Sequence, residues 1–123
     1  NLDPARRYNF AATSIRGALY PIRWTACSIG SADAFVEAHT GGCLTNGDPR
    51  VPGGTITNGQ VAFNAGSNSV NGDVIQWLQI NPGTDRQFSV EMRQWLGAIP
   101  GGTAGDAYSY TLTAIRLDEV TTS

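Results

Sequence analysis

The side chains suited to acid, base or nucleophilic chemistry are few in this chain. His39 is its single histidine and stands in FVEAHTGG, two residues after Glu37. On an extended segment that spacing puts imidazole and carboxylate on one face, with His39 the natural general base. Ser28 and Ser31 precede it, but neither sits in a G-x-S-x-G turn, and no carboxylate is spaced to orient the ring. A lone histidine at a strand end is expected to be solvated or structural, not catalytic. The acids offer no better site. Asp118 and Glu119 are adjacent, so on a strand they point to opposite faces. Glu91 and Asp106 are the pair that folding could bring together for two-carboxylate hydrolysis. Asp48, Asp73 and Asp85 stand in stretches rich in Asn, Gly or Pro, where Asp serves the backbone of a turn. No catalytic residue is expected.

Cys27 and Cys43 have 15 residues between them. A disulfide closing that loop would stabilise by roughly 3 kcal/mol through the lost entropy of the unfolded chain, and Gly41-Gly42 supplies the flexibility a bridge needs. Two buried free thiols are the alternative. A bridge would place the protein in an oxidising setting, outside the cell or on an exposed particle. Two Cys and one His cannot fill a four-ligand structural zinc site without a carboxylate, so no metal is expected there. SNSVNGD (67–73) and TNGDPR (45–50) carry loop oxygens of the kind calcium takes, but neither has EF-hand spacing. Phosphate and dinucleotide motifs are absent, as is an N-x-[ST] sequon, and no cofactor is expected.

The aromatic residues carry the remaining chemistry. Trp24 shares a strand face with Tyr20 and Ile22 and reads as core. Trp77 and Trp95 each sit on the less crowded parity of their strand, with Trp95 next to Arg93-Gln94. An exposed Trp on a sheet face stacks on sugar rings or anchors a protein interface. The alternative is that local bulges return both rings to the core.

These residues must be positioned by strands. The apolar period is 2 almost throughout, and breakers are dense, with 15 Gly, 6 Pro and Asn-Gly at 46–47, 58–59 and 71–72. The pattern predicts strands at 6–13, 17–28, 33–39, 55–57, 60–64, 73–80, 86–96 and 107–120, with a long irregular stretch at 40–54. Pro21 argues for an edge or bulge within the second. Residues 73–80 are apolar on both parities, as in a strand buried on two sides or lying at an interface. Apolar residues switch parity near Gln94-Trp95 and again at Ala114-Ile115, where Ile115 and Leu117 follow Leu112 and Ala114. A bulge or a contact on the outer face would each account for the switch. Residues 1–10 suit an extended N-terminal arm or edge strand. About eight short antiparallel strands make an all-β fold, a single β-sandwich of jelly-roll type over 1–123.

The bulk properties narrow the partners. The chain has 123 residues, enough for one core, and a net charge of -2, which gives no cationic footprint for nucleic acid or an anionic membrane. No run reaches the roughly 18 apolar residues of a membrane-spanning helix. All eight basic residues are Arg, by codon usage or for bidentate pairs at subunit contacts. The chain begins at Asn1, as after removal of a leading segment or excision from a longer protein.

FSVEMRQWLGAIPGGTAGDAYSYTLTAIRLDEV (88–120), with Gly102-Thr103-Ala104 followed by Leu112-Thr113-Ala114-Ile115-Arg116-Leu117, resembles the closing strands of small jelly-roll modules in tailed-phage virion proteins. The resemblance implies a capsid-decoration, head-fibre or tail-appendage protein acting by assembly. The expected function is therefore structural and non-enzymatic: a subunit docked, as a homo-oligomer or on a particle, onto a phage capsid, tail or secreted filament. Its location would be the virion surface or the extracellular space. Trp77, Trp95, Ile115 and Leu117 would be the contacts, with Arg at the rims. The alternative is a carbohydrate-binding module or lectin-like adhesin that stacks a glycan on Trp77, Trp95 and Tyr108.

Overall fold

A computed structural model describes residues 2–14, 23–95, 97–100 and 114–120. Among the described residues seven strands form two antiparallel sheets: β1 (Tyr8–Thr13), β2 (Thr25–Gly30), β3 (Ala34–Glu37), β4 (Gln60–Phe63), β5 (Ile75–Asn81), β6 (Ser89–Gln94) and β7 (Ala114–Glu119). One sheet has the order β3-β5-β1-β7 and the other β4-β2-β6, so successive strands alternate between the sheets. The all-β sandwich expected from the period-2 pattern is present. One helical turn, α1 (Asn68–Asn71), precedes β5.

The core between the sheets follows from strand alternation. Tyr8, Phe10 and Ala12 of β1 and Ile75, Trp77 and Ile80 of β5 face Cys27, Val61 and Phe63 of the second sheet, and all are buried. In β5 the parity of the buried residues changes between Trp77 and Ile80. The strand carries one extra residue there: Tyr8 pairs with Ile80 but Phe10 with Trp77, and Ala34 pairs with Asn81 but Val36 with Leu78. Gln79 takes φ 54° and its backbone N–H donates to Asn9 Oδ1 at 3.0 Å. The apolar residues on both parities of 73–80 thus reflect a bulge that returns Ile80 to the core, not burial on two sides.

The three-stranded sheet is covered on its outer face as well. Trp24, Ala26, Ala62 and Trp95 form a second cluster there with Leu44, Val51, Ile56 and Ile99, supplied largely by the irregular stretch after β3. This explains why all four residues of β4 are buried. It also explains the parity change at Trp95 without a bulge: the β2–β6 register is regular from Gly30↔Ser89 to Thr25↔Gln94, and Trp95 N–H continues it by donating to Trp24 O at 3.0 Å. Residues 55–57, expected as a strand, form turns that carry Ile56 into this cluster.

Two further expectations change. Tyr8–Phe10 begin β1, an inner strand rather than an edge, and Leu2 is tied back to the sandwich by its N–H donating to Arg86 O at 2.7 Å. Cys27 and Cys43 are free, buried thiols, so the expected disulfide is not formed. The reason is β4: Ala62 pairs with Ala26 on one side and bridges Leu44 on the other. The two cysteine backbones are therefore separated by two strand spacings, about 9.6 Å, against about 4.4–6.8 Å between the Cα atoms of a disulfide. Pro21, Tyr108, Asp106 and the 109–113 half of the parity switch lie outside the described residues.

Candidate functional site

Glu37, at the end of β3, pairs across the ladder with Trp77 of β5. Two residues on, His39 is held by Gln76 N–H, which donates to Nδ1 at 2.8 Å. That bond leaves the ring proton on Nε2. Nε2 points toward Glu37 Oε1 at 3.8 Å, and the His39 side chain is 3 % exposed. The imidazole also meets the Trp77 indole edge to face, 5.3 Å between centroids at 89°. Glu37 Oε1, His39 Nε2 and Trp77 Nε1 are all buried and make no hydrogen bond.

This arrangement does not make a general base. Burial lowers the His39 pKa to about 4, so the ring is neutral at neutral pH. Its one free nitrogen carries a proton, and the other is occupied by the backbone. Burial raises Glu37, with the Trp77 indole acting in the opposite sense. Ser28 lies on β2, in the other sheet.

The same corner holds an open polar pocket of ≈ 400 Å³, lined in part by Glu37, His39, Thr40, Cys43, Asp48 and Arg50. Its groups are mostly spoken for. Asp48 accepts from Arg50 Nε at 3.0 Å and Nη2 at 2.7 Å, and Nη2 also donates to Cys43 O at 2.8 Å. The Arg50 guanidinium holds the Asp48 carboxyl below its ordinary range. Thr40 Oγ1 donates to Asp73 Oδ1 at 2.7 Å, and the Asp73 carboxylate packs so closely on Gly42 that any side chain at position 42 would force that carboxylate to move. Burial pushes the Cys43 thiol up to about 11 and Cys27 up to about 12, so neither is an activated nucleophile.

The 67–73 stretch is a folded turn, not an open ligand loop. Asn68 Nδ2 donates to Thr13 Oγ1, Ser14 O and Asp73 O at 2.9–3.0 Å, and its Oδ1 accepts from Asp73 N–H. Among the described residues no group of three or more His, Cys, Asp or Glu has metal-binding geometry.

Trp77 is fully buried and Trp95 is 8 % exposed. The expectation that they present rings to a ligand or neighbour is corrected: Trp77 shares the core face with Ile75, ahead of the bulge that returns Ile80 to it, and the outer cluster covers Trp95. Gly97 packs so closely on the Trp95 ring that a Cβ there would collide with it, and the ring's Nε1–H donates to Ala98 O at 3.2 Å. With Tyr108 outside the described residues, the stacking platform for a glycan is not formed by these two rings.

Ile115 and Leu117 differ: they are 66 % and 50 % exposed. They stand opposite Ala12 and Phe10, so they lie on the core-facing side of their sheet. β7 is the edge strand of its sheet among the described residues, and its neighbours across the sandwich here are Phe88 and Val90, at and just before the start of β6. Leu2, Phe10, Phe88, Val90, Ile115 and Leu117 line the resulting apolar groove of ≈ 360 Å³. On the other face of β7, Arg116 Nε and Asp118 Oδ2 are 2.6 Å apart, whereas Glu119, on the parity of Ile115 and Leu117, has its Oε1 3.2 Å from Arg6 Nε. Phe88 and Val90 belong to the inward parity of β6 in the sequence. Their partnership with Ile115 and Leu117 depends on which edges face one another, which no local pattern encodes. Compared with protein families, curated proteins and solved structures, the chain matches none.

Proposed function

We propose that this chain is a structural, non-enzymatic β-sandwich subunit that docks through β7 onto a neighbouring subunit in a larger repeating assembly. A phage capsid, a phage tail or a secreted filament is the kind of assembly meant. One observation carries the reading: two large aliphatic side chains, Ile115 and Leu117, stay half or more exposed on the core-facing side of an edge strand. Exposed apolar surface next to a half-buried apolar groove marks an interaction site. Covering what remains exposed of two such side chains is worth about 2–3 kcal/mol. The neutral, backbone-capped His39 and the protonated thiols are in keeping with a protein that works by contact rather than by turnover.

The test compares the wild-type chain with I115S/L117S by light scattering and electron microscopy. The wild type should show mass above one chain or ordered particles, and the double variant a single-chain mass with an unchanged far-UV spectrum. A wild type that stays a dispersed monomer, alone and with material from its source, contradicts the reading.

A further inference from the structure

Every β-sheet edge exposes unpaired backbone donors and acceptors, and proteins normally blunt such edges with bulges, Pro, short strands or covering loops. Here the edges are treated unequally. The β3 edge is four residues long with an irregular ladder to β5, and β4 is capped by the Leu44 bridge. β6, the other edge of the three-stranded sheet, and β7 have neither device, and of the two only β7 carries large aliphatic side chains half or more exposed. β7 pairs with β1 in a six-residue ladder without register shift, from Thr13↔Ala114 to Tyr8↔Glu119, and no described strand lies on its other side. It contains no Pro or Gly, and its charged residues are of both signs, Arg116 beside Asp118 and Glu119.

Resting on the assembly reading above, we infer that the occupant of this edge is β7 of a second copy, paired antiparallel about a two-fold axis with Leu117 opposite Leu117. A two-fold axis normal to the sheet keeps inward residues opposite inward residues, so the pairing must centre on a residue. Centring on Arg116 or on Asp118 sets like charges opposite each other, and centring on Ile115 sets Arg116 opposite Ala114, with no charge to meet it. Centring on Leu117 pairs residues 115–119 of both copies. Arg116 then stands opposite Asp118 of the second copy, twice over, exchanging the one pair made within each strand for two across the interface. On the inward face Leu117 meets its own copy, and Ile115 meets the aliphatic stem of Glu119, whose carboxylate is already held by Arg6. The result joins two four-stranded sheets into one of eight strands, with Ile115 and Leu117 continuous across the seam. Strand addition of this kind draws affinity from the backbone and specificity from alternate side chains.

The test uses charge reversal and cysteine pairing on the full chain. R116D places Asp opposite Asp118 and D118R places Arg opposite Arg116, so each alone should lose the dimer. An equal mixture should regain it as a heterodimer, because the strand bearing two Asp then faces the strand bearing two Arg. Rescue in the mixture cannot come from an effect within one chain, since both chains keep like charges internally. Under mild oxidation L117C should cross-link to itself and I115C should not. A mixture that stays monomeric, or equal cross-linking at both positions, overturns the pairing. If I115S/L117S nonetheless abolishes assembly of the wild type, the groove takes a different neighbour and only the pairing falls; a wild type that never assembles removes both readings.

Discussion

The imidazole of His39 meets the indole of Trp77 edge to face at 5.3 Å, with its Nδ1 already accepting from the Gln76 backbone. The only histidine of the chain is thus a neutral packing element against the most buried tryptophan.

Stability should therefore fall on mild acidification. The folded pKa of His39, about 4, lies below its ordinary 6.5. The unfolded chain takes up the proton first, and the native state loses stability as pH drops from about 6.5 to 4, by about 3 kcal/mol in all. Glu37 acts in the opposite sense: its raised pKa makes the carboxylate cost stability above its ordinary 4.5, a cost that acid removes. Denaturant midpoints measured from pH 7 to 5 should decline for the wild type and flatten for H39N, whose side-chain oxygen can still accept from Gln76. Equal pH dependence in the two proteins would place the titrating group elsewhere.

Trp24, Trp77 and Trp95 are all buried. The folded protein should emit at short wavelength and resist quenching by acrylamide, and soluble sugars should leave that emission unchanged. Trp77→Ala should cost about 3–5 kcal/mol, as for other large-to-small changes of a fully buried aromatic. Ready quenching in the native state would show that one of the rings faces solvent.

Both thiols should be unreactive in the native state. Cys27 and Cys43 are buried, with pKa values pushed up to about 12 and about 11. A thiol reagent should label neither until denaturant is added, and then both without prior reduction. Absence of labelling in unreduced, denatured protein would demonstrate a bridge.

Gln79 is the single residue of β5 with positive φ. A left-handed conformation costs a non-glycine residue roughly 1–2 kcal/mol. Gln79→Gly should leave stability unchanged or raise it by up to ~1 kcal/mol, whereas Gln79→Val should lower it by about 1 kcal/mol or more. The reverse order would argue against the bulge.

The sandwich itself is legible in the sequence because period-2 alternation and Asn-Gly turns are local signals. Ile115 and Leu117 are legible for the same reason, as apolar residues on the unexpected parity near the end of the chain. The roles of Trp77 and Trp95 are not. A bulge at Gln79 has no signature when the left-handed residue is neither Gly nor Asn, so IQWLQI reads as a strand apolar on both faces. The cover over Trp95 comes from Leu44, Val51 and Ile56, spread along an aperiodic segment with no face to read. Spacing alone made a Cys27–Cys43 bridge plausible, because nothing between them announces that β4 inserts its own backbone in the gap.

Assembly through β7 is tested most directly by backbone hydrogen exchange at increasing protein concentration. Amides of Ala114–Glu119 should slow as concentration rises, while those of the inner strand β5 stay constant as a reference. Exchange at β7 that remains independent of concentration, in a solution where larger species are present, would contradict docking through this edge.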